Sequence, residues 1–328
     1  MTPAGAPAMN NFLRLFGCCL LLAAVPCAAR DNADRVVLFP KLSVGQTLRY
    51  QIGYSSKTNM TTESTVAVPM APTGVQNDET LLLLVEVEDL RVDAGRTVAR
   101  LRTRILDPDA EATNATSSDT AKSGKPERTV EFILHADGQV TDIEGLDRLS
   151  VDEQAIWKEW VSRFGGGAAY PEKGIKPGEK WKTEEPIQNA LLSGLSWDKE
   201  SEYVNNAPCG AMQRMPQGDL AAGEQPQENC AVILTTALLK QKSSQKDATP
   251  EDYKLHDLRT MGLATGKNET ISYISLKTGL VVRATEDAKQ SMNVIVAKTD
   301  GTNRVHYMID AESHAQVMLL AENPVNHP

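Results

Sequence analysis

The sequence predicts a mainly β protein: an antiparallel curved sheet, as a half-barrel or sandwich, made of two related β units with one amphipathic helix at about 150–164. Three observations predict this. Short runs in which apolar and polar residues alternate recur along the chain, the signature of strands with one buried face. Glycine-containing turns separate those runs, as in a meander. Helical periodicity is convincing in one place only, which argues against a parallel α/β fold.

A targeting segment precedes this body. Arg14 is the only charged residue before Arg30, and it leads into the apolar run 15–25. A lone cation, about ten apolar residues and then small residues form the layout of a cleavable secretory signal. The run is too short to cross a bilayer core, which needs roughly 20 helical residues. Cys27-Ala28-Ala29 suits a cut after Ala29, and Met9 is an alternative start. Lipidation at Cys27 is the competing reading; Pro26 argues against it, because acylated cysteines usually follow Gly, Ala or Ser. The expectation is an exported chain, periplasmic or extracellular, whose mature part does not span a membrane.

The chain has 34 basic and 43 acidic residues, a net charge of −9. Such a surface repels phosphate backbones, so nucleic acid is excluded as a partner. Cys18, Cys19 and Cys27 fall in the signal, leaving Cys209 and Cys230. In an oxidising compartment this pair is expected to form one disulfide, closing the Gly-, Pro- and Gln-rich loop between them. A redox dithiol would need C-x-x-C spacing, which is absent.

The strands follow in order. The run 81–88 ends in strict alternation, turns at Asp93-Ala94-Gly95 and returns as 97–105. Ala99, Leu101 and Ile105 share one face; Arg100, Arg102 and Arg104 share the other. The three-residue turn sets Glu86 opposite Arg102 and Glu88 opposite Arg100, so the arginine stripe reads as a paired solvent face before it reads as an anion site. A hairpin 129–143 turns at Asp137-Gly138. Near the C-terminus, 269–276 turns at Thr278-Gly279 into 280–286, and 290–298, 304–310 and 314–320 are expected as further short strands. The polar stretch 107–128 is expected as a loop, and Pro250-Glu251 as the start of a short helix.

The helix is signalled by a capping box at Ser150 and Glu153. Ile156, Trp157, Trp160, Val161 and Phe164 fall on one face, and Gly165-Gly166-Gly167 ends it. Plain core packing is the favoured reading of this stripe, with Trp157, Trp160 and Phe164 as candidate apolar ligand-facing residues in the alternative. A weak repeat pairs the glycine turn of 42–50 with that of 175–182, and Asp137-Gly138 with Thr278-Gly279. The expected organisation is therefore a signal at 1–29, a first β unit at 30–148, the helix and glycine-rich linker at 149–170, and a second β unit with the disulfide loop at 171–328.

No catalytic or cofactor motif is present: no nucleophile elbow, no P-loop, no dinucleotide fingerprint. His135, His256, His306, His314 and His327 show no metal-ligand spacing, and no cofactor is implied. N-glycosylation sequons occur at Asn59, Asn114 and Asn268. Val44-Gly45-Gln46-Thr47-Leu48-Arg49-Tyr50, the stretch Tyr170 to Trp181 and Leu276-Lys277-Thr278-Gly279-Leu280-Val281 resemble segments of an uncharacterised family of exported bacterial β proteins, a domain of unknown function. That resemblance implies an exported β fold with no assigned activity. A remoter likeness is to lipoprotein carriers of the Lol type, in which a curved sheet shields an apolar cavity behind helices; a fold does not fix a function. The reading favoured is a non-enzymatic protein binding an apolar or lipid-like ligand or an envelope partner. A hydrolase whose acids and histidines meet only in space is the alternative.

Overall fold

In the computed structural model the described residues are 35–65, 74–93, 96–106, 128–135, 138–164, 170–171, 173–187, 190–210 and 228–320. The segment expected as a signal, with Cys27, the stretch 107–127 expected as a loop, the glycines 165–167 and residues 211–227 between the cysteines lie outside them. Eleven strands form one open antiparallel sheet, the expected architecture. They are β1 (Thr47–Ser64), β2 (Gly74–Asp93), β3 (Arg96–Leu106), β4 (Thr129–His135), β5 (Val140–Glu144), β6 (Lys180–Pro186), β7 (Leu195–Pro208), β8 (Asn229–Gln241), β9 (Leu258–Ser275), β10 (Val281–Lys298) and β11 (Val305–Leu320).

The first five strands meander outward from β1 to the edge strand β5. The remaining six start at the opposite edge, β6, and return until β11 pairs with β1. The chain after β5 must therefore pass from one edge of the sheet to the other, about 48 Å if the sheet were flat. The helix α1 (Val151–Phe164) takes part of that path across the inner face. Its capping box forms as expected: Ser150 N–H donates to Glu153 Oε2 at 2.9 Å, and Glu153 N–H donates to Ser150 Oγ at 3.2 Å. A short second helix, α2 (Glu251–Leu255), follows Pro250.

The sheet curls around α1. Trp157 packs on Phe132 of β4, while Arg163 pairs with Glu286 of β10. Those two strands lie five places apart, about 24 Å on a flat sheet. The six residues from Trp157 to Arg163 rise only about 9 Å. Bending brings both strands within reach.

The alternation drives the main core. Leu83, Val85, Leu101, Phe132, Tyr50 and Ile52 point inward and pack under Ile156, Trp157, Trp160 and Phe164, all buried. Trp157 and Trp160 have no exposed surface. Trp157 Nε1–H donates to Thr103 Oγ1 at 2.9 Å, and Tyr50 O–H donates to the Val281 carbonyl at 3.1 Å, so these buried polar groups are satisfied. The edges are blunted against other chains: β5 has five residues, and β6 carries Lys180, Lys182, Glu184, Glu185 and Pro186.

Three expectations need correction. The short strands expected at 269–276, 280–286, 290–298, 304–310 and 314–320 are parts of longer ones: β9, β10 and β11 run unbroken for 18, 18 and 16 residues. Alternation fails in their middles because the inward residues there are small or polar, not because the chain turns. The run 81–88 likewise extends back to Gly74. Glu86 does sit opposite Arg102, but a bulge between Val87 and Asp89 places Asp89, not Glu88, opposite Arg100. Glu88 still pairs with Arg100 at 3.4 Å and also bonds Arg102 at 2.7 Å, and Glu131 bonds Arg100 and Arg102 at 2.6 and 2.9 Å. Arg104 takes Glu86 at 2.6 Å. Each arginine of the stripe has a carboxylate partner.

The two glycine turns singled out as a repeat close with the same hydrogen bonds. Gly45 N–H donates to the Val87 carbonyl and Gly178 N–H to the Tyr203 carbonyl, while Val87 and Tyr203 N–H donate back to Gln46 and Glu179. The side chains of Gln46 and Glu179 accept from Ser43 and Lys176 N–H. Both glycines take positive φ, 79° and 84°. The second pair of turns, at Gly138 and Gly279, leads into β5 and β10. At Gly279 the Phe39 backbone approaches so closely that a Cβ would stand 1.8 Å from its carbonyl oxygen.

Candidate functional site

Register decides where the inner face is filled and where it is open. One rung across the strands reads Tyr203, Ile233, Ser272, Ala284, Val317, Ile52, and it borders the main core. The next reads Ser201, Thr235, Thr270, Glu286, Ala315, Tyr54; the one after it Lys199, Ala237, Asn268, Ala288, Ser313, Ser56. The following rung carries Trp197, Leu239, Gly266 and Gln290, and from it a second apolar cluster of Leu192, Leu195, Leu239, Ala264 and Val294 resumes the filling. Apart from Glu286, which pairs with Arg163, the middle rungs present mostly short or polar side chains toward α1. What remains is a cleft of about 430 Å³ between α1 and the inner face of β7–β11, within the size range of small-molecule sites.

The helix wall of the cleft is Ala155, Lys158, Ser162 and Arg163. Arg163 pairs with Glu286 across the cleft base, their side chains 10% and 13% exposed, and Glu286 Oε2 also accepts from Thr270 O–H at 2.8 Å. This network ties the last turn of α1 to β10 and β9. At the opposite lip Lys199 pairs with Glu185 of the edge strand β6. Lys158 is exposed and makes no ion pair with a described residue. Tyr170 closes one side and packs on Trp181, its ring centroid 6.0 Å away. Burial pushes the Tyr170 hydroxyl far above its ordinary range, against a smaller opposing pull from Arg163, so it stays protonated.

The sequence-predicted site residues lie elsewhere. Trp157, Trp160 and Phe164 are packed in the main core: Trp160 stacks on Phe164 at 4.9 Å and touches Tyr50 and Phe132. None of the three lines the cleft. Cys209 and Cys230 are joined as a disulfide at the end of the β7–β8 hairpin, packed with Val282 and Tyr273. The described histidines are also outside the cleft: His306 meets Glu63 and Asn293, His314 meets Asp287, and His135 meets Thr141. Among the described residues no group of three or more His, Cys, Asp or Glu could hold a metal ion. Asn268, in one of the sequons, faces the cleft. What sequence reasoning missed are the cleft-lining residues of β7–β11; the signal was the loss of apolar alternation in the middle of otherwise regular strands.

The chain matches no protein-family model and no curated protein by sequence. The family resemblance read from 44–50, 170–181 and 276–281 therefore rests on those residues alone. In structure it is similar to a candidate lipoprotein from Parabacteroides distasonis, with 9% identity over 87% of this chain and 98% of that one, at a TM-score of 0.28. It is similar, at a TM-score of 0.16 each, to the outer membrane protein OprG from Pseudomonas aeruginosa (7% identity, 87% and 100% covered) and to an outer membrane channel from Pseudomonas putida (11% identity, 85% and 98% covered). Scores this low carry no common function. Among the described residues no helix is long and apolar enough to cross a membrane.

Proposed function

We propose that this is an exported, non-enzymatic binding protein that takes a ligand in the cleft between α1 and the inner face of β7–β11. One observation carries the reading: two rungs of short or polar side chains stand between two apolar clusters, and they keep the cleft open. A sheet selected for stability alone would fill this space, because each buried methylene left out forfeits about 0.8 kcal/mol. The walls favour a ligand with polar groups over the purely apolar one expected from Trp157 and Trp160. The matching turns at Gly45 and Gly178 support two related β units, 30–148 and 171–328, that share one sheet. The Lol-type likeness supports the reading only as an analogy of architecture.

Ala288 lies at the centre of the cleft floor, so Ala288→Phe should occupy it without disturbing either apolar cluster. Native mass spectrometry of protein purified from its own host should show a bound mass that the variant loses. A fluorescent amphiphile such as anilinonaphthalene sulfonate should bind the wild type saturably at one site and the variant weakly. Unliganded protein together with identical dye binding by both forms would refute the role. Export is checked separately: the secreted or periplasmic chain should begin at Arg30, and retention of residues 1–29 would overturn it.

A further inference from the structure

We propose that the ligand of this cleft is a saccharide, with Trp197 as its stacking platform; the inference rests on the binding role above. Trp197 is half-buried on β7, with one side against the second apolar cluster and part of its surface lining the cleft. It lies over Gly266: a Cβ there would stand 3.0 Å from Trp197 Cη2, so glycine lets the indole settle against the sheet. A sugar ring offers such a surface a face of C–H groups, which suits the electron-rich face of an aromatic ring.

The hydroxyls of a sugar point sideways and need groups that both donate and accept. The cleft supplies them from Gln290, Ser272 and Ser313, which line it and hold no side-chain hydrogen bond among the described residues. Asn268 stands beside them, its Oδ1 3.2 Å from the Thr270 hydroxyl, whose proton goes to the nearer Glu286 carboxylate. An acyl chain in the same place would strip water from these amides and hydroxyls and return no hydrogen bond. An extended peptide is disfavoured for a different reason. Strands β7–β11 are each paired on both sides, so the cleft floor has no free backbone edge for a peptide to join.

The test is a titration of the oxidised mature chain with cellobiose, maltose, N,N′-diacetylchitobiose and digalacturonate, followed by tryptophan fluorescence and calorimetry. At least one is expected to bind saturably, with affinity at least tenfold weaker in both Trp197→Ala and Gln290→Leu. Since Trp197 also packs on the second cluster, Trp197→Phe provides a folded aromatic control that retains most of the binding. No saturable binding of any of the four overturns the saccharide assignment, as does binding that Trp197→Ala and Gln290→Leu leave unchanged. If the amphiphile still binds the wild type and not Ala288→Phe while no sugar binds, the saccharide is wrong and the binding role stands. Failure of every probe removes both.

Discussion

The ion pair between Arg163 and Glu286 is the one polar tie between α1 and the second meander whose strength the structure allows to be worked out. Both side chains are nearly buried, at 10% and 13% exposure, and Glu286 also accepts from Thr270. Replacing one partner leaves the other charge in a site it cannot leave. Breaking a buried pair in this way costs about 3–5 kcal/mol. Water reaches this pair through the cleft, so the lower end applies: about 3 kcal/mol for Glu286→Leu and for Arg163→Met. The double variant removes both charges and restores apolar bulk, so it should cost no more than either single change. The coupling energy is then about 3 kcal/mol, the upper end for residues in contact. Urea denaturation followed by circular dichroism, with the disulfide intact and m unchanged across the set, measures it. Single losses below about 1 kcal/mol, or a double variant equal to the sum of the singles, would refute the reasoning.

Three further outcomes follow from particular contacts. Gly279→Ala should cost well over 2 kcal/mol, because the left-handed penalty of about 1–2 kcal/mol is compounded by the Phe39 carbonyl in the way; Gly45→Ala, with a similar φ and nothing within 4 Å, should cost only the conformational part. Equal losses in the two would contradict the close approach. Replacing Cys209 and Cys230 by serine should lower stability by about 3 kcal/mol, given their separation of 21 residues, and a denaturation midpoint unchanged by reduction would contradict it. Hydrogen bonds from Arg100 and Arg102 hold the Glu131 carboxyl below its ordinary value of 4.5. Its folded value is lower than its unfolded one, so the stabilisation is complete above 4.5 and is lost as pH falls through the folded value. Glu131→Gln should therefore trail the wild type at neutral pH and converge with it in acid; urea midpoints over that range would show a constant gap if the reasoning fails.

The class of fold was legible because its causes are local. Alternation marks strands wherever one face is buried and the other wet, and it placed β3 and β4 within a residue or two. The capping box and apolar stripe placed α1 as closely. Cys209 and Cys230 were the two cysteines outside the expected signal, and the hairpin joins them. Local rules also misled where the inner face stops being apolar. At 287–289 and 311–313 the expected breaks are continuous strand, since backbone pairing to neighbours on both sides holds β10 and β11 together without an apolar face.

What only the tertiary structure decided is the order of strands and, with it, the site. Nothing in the spacing of residues says that β11 pairs with β1, or that the chain between the two edge strands runs through α1. That crossing puts Trp157, Trp160 and Phe164 into the core, where the sequence favoured core packing and left a ligand-facing role open. Lys199, Asn268, Ala288 and Ser313 are far apart in the chain and share one rung only because four strand registers agree. Sequence patterning reports which face of an element is buried. It carries no record of where the partners of that face are too short to touch, and that gap is what makes the cleft.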